Sequence, residues 1–268
     1  MEKLPILVFC LAALAATVSA QPKGTNTDES KVPAYTLPDP LVALDGTPVK
    51  DAESWRAKRR PEILRLFEEH VYGAAPAAHP GMSFELSSIE PKALGGKAIR
   101  KEVTVLFNGQ SGGPAMSILI YLPADAKAPV PAFLGLNFQG NHSIHPDPGI
   151  TLNKNWMRPR NDGSVVDHRA NEKARGVASG RWPVELILDR GYALATIYYG
   201  DIDPDFDDGF SNGVHPLFYK PGQTKPAPNE WGSIAAWAWG LSRAMDYFEK
   251  DDSIDEKRVA VMGHSRLG

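Results

Sequence analysis

The sequence predicts an α/β protein whose mostly parallel sheet is covered by helices on both faces and begins with an antiparallel hairpin. Three observations carry this prediction. Two strand-like segments, 100–107 (R-K-E-V-T-V-L-F) and 115–122 (A-M-S-I-L-I-Y-L), flank the turn-rich N-G-Q-S-G-G of 108–113, the pattern of a hairpin. Beyond residue 130 strand-like and helix-like segments alternate, the signature of a parallel sheet with crossover helices. The final apolar run, Val259, Ala260, Val261 and Met262, is short, unbroken and followed by Gly263, as expected of a parallel strand buried on both faces.

Composition sets the outer bounds. The chain has 268 residues, 43% hydrophobic and 23% charged, with a formal net charge of -3. It is long enough for one large core, and its near-balanced charge offers no electrostatic basis for binding nucleic acid or an anionic membrane. Residues 1–20 read as a signal peptide: Lys3 in a short n-region, an apolar stretch from Ile6 to Val18, and Val18-Ser19-Ala20 before Gln21, with cleavage expected after Ala20. The apolar stretch is short for a membrane span. The mature protein is therefore expected to be secreted or periplasmic, without a membrane anchor. Cys10, the single cysteine, falls inside this leader, and the bulky Phe9 before it argues against lipid attachment. The mature chain would hold no thiol and no disulfide. Residues 21–40 are polar and proline-bearing and read as a flexible leader; 41–268 read as part of one domain, expected to be monomeric.

In chain order, 41–50 is an extended lead-in. Residues 53–71 read as a helix with Trp55, Ile63, Leu64, Phe67 and Val71 on one stripe, restarted or kinked at Pro61. A strand at 82–89 precedes the hairpin, and 131–137 (P-A-F-L-G-L-N) forms the next strand. After the irregular stretch 141–180 come a short helix at 181–190, a strand at 191–199, a second irregular stretch at 201–229 and the clearest helix, 230–250. In that helix Ile234, Trp237, Leu241, Ala244, Met245 and Phe248 recur at three and four residues. The charged turn 251–258 leads into the last strand. This order fits the α/β-hydrolase arrangement, a three-layer sandwich, with the two long connections near the sheet edge where such folds bind ligands.

Gly263-His264-Ser265 after an apolar strand has the form of a nucleophile elbow, which needs small residues beside the serine and leaves its hydroxyl exposed. A serine hydroxyl attacks only when a base takes its proton. In this fold the acid and the histidine follow the serine in the chain, yet all seven histidines here (His70, His79, His142, His145, His168, His215, His264) precede Ser265 or adjoin it. The base and acid are thus expected beyond Gly268, making this the N-terminal portion of the domain with the C-terminal part missing. The glycine also stands one place later than G-x-S-x-G requires, with Leu267 in its position.

The segment Gly263-His264-Ser265-Arg266-Leu267-Gly268 resembles the nucleophile motif of the glucuronoyl esterases, the 4-O-methyl-glucuronoyl methylesterase family of carbohydrate esterases. Residues 135–142 (G-L-N-F-Q-G-N-H), 199–210 (Y-G-D-I-D-P-D-F-D-D-G-F), 212–217 (N-G-V-H-P-L) and the helix bearing Trp231, Gly232, Ala236 and Trp237 resemble its bacterial members, so the likeness runs over residues 40–268. The resemblance implies Ser265 as nucleophile and Arg266 as a donor to the oxyanion hole. It also implies esters of (4-O-methyl-)glucuronic acid, as in glucuronoxylan–lignin linkages of plant cell walls, as substrate, cleaved through an acyl-enzyme with no cofactor or metal. The family's lysine after the last glycine would be the next residue, and this fragment alone is expected to be inactive. An acetylxylan-type or other α/β-hydrolase esterase, or an inactive carbohydrate-binding protein, are the alternatives.

His142-Ser143-Ile144-His145-Pro146-Asp147 could suggest metal ligands, but the proline makes the segment a loop rather than a helix face. The five aspartates of 201–209 miss the calcium-loop pattern, because Gly209 is one position late and Val214 stands where glutamate is required; an acidic loop, solvated or internally hydrogen-bonded, is expected. Residues 137–142 are expected to line the rim of the site. Trp237 is expected in the core, with Trp231 freer to stack on a sugar.

Overall fold

In the computed structural model, which describes residues 24–268, the strand-like segments join one six-stranded mixed sheet. The segment read as a signal peptide lies outside the described residues. The strands are β1 (Ser83–Lys92), β2 (Ala98–Leu106), β3 (Ala115–Pro123), β4 (Val130–Asn137), a two-residue pair β5 (Val165–Val166) and β6 (Arg169–Ala170) standing apart, β7 (Ala193–Tyr198) and β8 (Ile254–Met262). The main sheet runs in the order β1-β2-β3-β7-β4-β8. Strands β1, β2, β3 and β7 pair antiparallel; β7, β4 and β8 are parallel.

The expected hairpin forms along its whole length, with Ala98 opposite Pro123 and Leu106 opposite Ala115. Its turn is closed by the Phe107 N–H donating to the Pro114 carbonyl at 3.1 Å. Gly109 sits at φ 74°, where a Cβ would come within 2.2 Å of the Gly81 carbonyl oxygen, so the turn excludes any other residue.

Two crossovers build the parallel part. Helix α2 (Val184–Asp189) links β4 to β7, and helix α3 (Ser233–Phe248) carries the chain back past β4 to β8. The crossovers step in opposite directions along the sheet. A shared right-handed sense therefore places the helices on opposite faces. Alternation along each strand agrees: Leu134, Ala195 and Ile197 pack with Ala236, Trp237, Ala244 and Phe248 of α3, whereas Phe133 and Leu194 pack with Val184 and Leu188 of α2. The result is the three-layer α/β-hydrolase sandwich. Ile118, Leu119 and Ile120 of β3, two pointing to one face and one to the other, are wholly buried, each contributing about 1.5–3 kcal/mol.

Polar residues of β2 tie the long connection after β4 to the sheet. Buried Arg100 donates from Nη1 to Asp147 Oδ2 at 2.6 Å, and Tyr121 Oη donates to the same oxygen at 2.7 Å. Buried Glu102 accepts from the Thr151 backbone N–H and from its hydroxyl. Burial pushes the Asp147 carboxyl up, but the hydrogen bonds from Tyr121, Gly149 and Arg100 outweigh it and hold it below the usual carboxylate range.

Three expectations are corrected. First, β8 is not buried on both faces: it pairs with β4 on one side, has no strand on the other among the described residues, and leaves Val261 70% exposed. Second, the segment 53–71 is helical but does not dock its apolar stripe. A π-turn (Trp55–Arg59) passes directly into α1 (Arg60–Phe67) and a second π-turn (Glu68–Tyr72), with Pro61 absorbed at the start of α1. Leu64, Phe67 and Val71 are exposed, while Arg59 is buried, its Nε donating to the Pro40 carbonyl and its Nη1 to Glu62. The segment is amphipathic, but among the described residues Leu64, Phe67 and Val71 join neither apolar core. Third, Trp231 is buried rather than free, its ring against His215, Phe218 and Trp239.

Candidate active site

Strand β8 ends at Met262, and the chain turns at once. His264 is extended at φ -143°, ψ 135°, and Ser265 sits at φ 55° at the start of a 3-10 turn (Ser265–Leu267). The turn is closed by the Leu267 N–H donating to the His264 carbonyl and the Gly268 N–H to that of Ser265. A serine at positive φ is a strained placement that costs about 1–2 kcal/mol and clusters at functional sites. Gly263 makes the bend passable: a Cβ there would lie 2.0 Å from the Leu267 carbonyl oxygen. Leu267, which occupies the place of the usual glycine, turns its side chain into the core beneath α3. Ser265 itself is exposed at the end of the strand, and among the described residues no side chain hydrogen-bonds its hydroxyl.

Arg266, the next residue, is held from several sides. Its Nη2 donates to Asp205 Oδ2 at 2.5 Å. Its guanidinium carbon lies 5.4 Å from the ring centre of Phe138 and 5.9 Å from that of Tyr199, within cation–π range. Phe138 and Tyr199 meet edge to face at 5.3 Å. These partners come from the ends of β4 and β7 and from the acidic loop after β7, so the carboxyl ends of three adjacent parallel strands converge on Arg266. That is where open α/β sheets place their ligands.

A cleft of about 390 Å³ opens beside the turn. Leu136, Phe138, Trp182 and Met262 give it apolar walls, with Gln139, Arg181 and His264 as polar members. Asn137, Phe138, Gln139 and the buried Ser143 thus border the cleft, whereas Asn141 and His142 are buried and do not line it. Burial, reinforced by the Arg175 charge, pulls the His142 imidazole down to about 4, so it is neutral at ordinary pH. His145 turns away to Glu185 at 3.1 Å.

The acidic loop is committed rather than solvated. Asp201 is buried, its Oδ1 accepting from the Asn153 and Asn155 amides and its Oδ2 from the Ser117 backbone N–H. Burial pushes its carboxyl up to about 6 against the pull of those donors. Asp203 pairs with fully buried His215 at 3.2 Å, and its carbonyl accepts from Trp237 Nε1. Only Asp207 and Asp208 keep to local turn bonds. Asp205, Tyr199 and Phe138 are the neighbours of the predicted pair that sequence reasoning did not single out. The clue available was a carboxylate in a loop following a parallel strand.

The chain matches a family model described as "Glucuronyl esterase, fungi" over residues 209–268. It is 55% identical over 94% of its length to a carbohydrate esterase of an unidentified prokaryote, and 25% identical over 99% of its length to a 4-O-methyl-glucuronoyl methylesterase of Schizophyllum commune. Among solved structures, a glucuronoyl esterase from Solibacter usitatus superposes with a TM-score of 0.81 at 52% identity over 89% of the chain. The chain spans 58% of the length of that prokaryotic esterase and 60% of the Solibacter structure. The resemblance read from the G-H-S-R-L-G segment is borne out across the chain.

Proposed function

We propose, on the premise that this chain resembles the glucuronoyl esterases over 89% of its length in fold and sequence, that it belongs to a secreted serine carbohydrate esterase. Its substrates are esters of (4-O-methyl-)glucuronic acid, such as those joining glucuronoxylan to lignin alcohols. The observation that carries the reading is Ser265 held at φ 55° on the turn after a parallel strand, with the Arg266 guanidinium fixed beside it. In this mechanism Ser265 Oγ gives its proton to a base and attacks the ester carbonyl. The carbonyl oxygen becomes negative, and Arg266 supplies a charged donor to it where other serine hydrolases use backbone N–H groups. Collapse of the tetrahedral intermediate expels the alcohol and leaves a glucuronoyl ester on Ser265, which water then hydrolyses.

Residues 1–20 serve as the export signal, 21–40 as a leader, and 41–268 as part of the esterase domain. The exposure of 24–40 supports the second assignment. No helix of the described residues is long and apolar enough to cross a membrane. The reading is tested by assaying the full-length enzyme that contains this chain on benzyl glucuronate and on an aryl acetate. Cleavage of the glucuronate ester, abolished by Ser265→Ala, is expected; cleavage of the acetate alone would move the protein to the acetylxylan-type esterases.

A further inference from the structure

The hold on Arg266 is more elaborate than one ion pair. Asp205 Oδ2 accepts three hydrogen bonds: from Arg266 Nη2 at 2.5 Å, from Tyr199 Oη at 2.5 Å and from Arg158 Nε at 2.6 Å. Its side chain is only 12% exposed, although the Arg158 and Arg266 side chains keep 58% and 37% of their surface in water, and bonds between charged partners are stronger than neutral ones. Burial alone would raise the Asp205 carboxyl, but the bonds from Arg158 and Tyr199 and the Arg266 charge prevail and hold it below the usual carboxylate range. Burial, then the bond to Asp205, drives the Tyr199 phenol up to about 12, so it remains a donor. One carboxylate between two guanidinium groups leaves the cluster net positive.

The chemistry assigned to Arg266 makes this arrangement consequential. An oxyanion donor contributes most when it is already aimed before charge develops. A free arginine side chain loses much of its rotamer freedom on being fixed. Asp205 and the Phe138 and Tyr199 rings fix it in advance. Resting on the role given above to Ser265 and Arg266, we propose that Asp205 is a positioning residue for catalysis. It pins one end of the Arg266 guanidinium so that the remaining N–H groups face the developing oxyanion. Tyr199 and Arg158 in turn hold Asp205 in place.

The test uses the full-length enzyme that contains this chain, with benzyl glucuronate as substrate and free guanidinium as chemical probe. Asp205→Asn is expected to lower kcat about 10–100-fold, the scale of a slight misplacement of a reacting group, while KM changes less than about threefold. Guanidinium is expected to restore activity to Arg266→Ala when Asp205 is present and not when Asp205→Asn is combined with it, because only the carboxylate can seat the free cation. Tyr199→Phe, which removes one of the three donors to Asp205 and keeps both the ring and the Arg266 pair, is expected to lower kcat by less than Asp205→Asn does. A kcat for Asp205→Asn within twofold of wild type, or rescue undiminished by that substitution, would each overturn the proposal. The Arg266 Nε–H resonance gives a reading independent of turnover. One sharp, slowly exchanging signal in wild type that broadens in Asp205→Asn supports the proposal, and an unchanged signal overturns it. If wild type cleaves no glucuronate ester, the esterase reading falls, and this resonance alone decides whether Asp205 fixes Arg266.

Discussion

Ser265 keeps a conformation that its own side chain disfavours. At φ 55° it would be more comfortable as glycine, so structure and chemistry pull in opposite directions at this residue. Ser265→Gly is expected to abolish esterase turnover while raising stability by about 1 kcal/mol, the relief of left-handed strain in a β-carbon-bearing residue. Urea denaturation checks the second half, and a glycine variant no more stable than wild type would show that the turn stores no strain. For Arg266→Ala the expected loss is about 100–1,000-fold in kcat, the range for a deleted oxyanion donor. Steady-state kinetics decide it, and a change confined to KM would reassign the guanidinium to substrate binding.

Among the elements, the turn after β8 and the strap across β2 have the least tolerance. Gly263→Ala places a methyl group 2.0 Å from the Leu267 carbonyl oxygen, and backbone on both sides cannot retreat without opening the elbow. Destabilisation of about 1–3 kcal/mol by overpacking, together with loss of turnover, is the expected result in thermal unfolding and ester assays. The β2 strap depends on charge. Arg100 and Asp147 are paired with side chains 8% and 10% exposed, so Arg100→Met leaves a buried carboxylate facing only Tyr121 and the Gly149 N–H. Breaking such a pair costs about 3–5 kcal/mol. Proteolysis within 141–180 should become faster if the strap is what ties this connection down, and an unchanged cleavage pattern would contradict that.

Across the whole molecule, two buried groups oppose each other in acid. The Asp201 carboxyl is raised from 3.8 to about 6, so the folded state binds its proton over a range where the unfolded chain has lost it, and stability falls as pH rises through that window. The His142 imidazole is lowered from 6.5 to about 4, so the unfolded chain binds the extra proton, and stability falls as pH drops below 6.5. Between pH 4 and 6 the two slopes have opposite sign and largely cancel. His142→Gln should therefore unmask a decline in melting temperature from pH 4 to 6, and Asp201→Asn a rise over the same range. Each slope is at most about 1.4 kcal/mol per pH unit for one proton. Parallel pH profiles for the three proteins would show that neither group titrates as its burial requires.

Strands, the β2–β3 hairpin, α3 and the turn at Gly263-His264-Ser265 were all legible in the linear sequence. The reason is physical: periodicity, turn chemistry and steric demand act over a dozen residues or fewer. The G-H-S-R-L-G pattern placed Ser265 and Arg266 together for the same reason. Tertiary structure alone decided which apolar faces are covered. The stripe Leu64, Phe67 and Val71 has helical spacing yet lies exposed, while Arg100 and Glu102, polar positions on a strand, are buried beneath a loop. It also decided that Asp205 meets Arg266 across 61 residues and that Trp231 goes inside. Such pairings depend on strand order, which brings the ends of β4, β7 and β8 side by side, and no local pattern along the chain encodes which distant loop will arrive there.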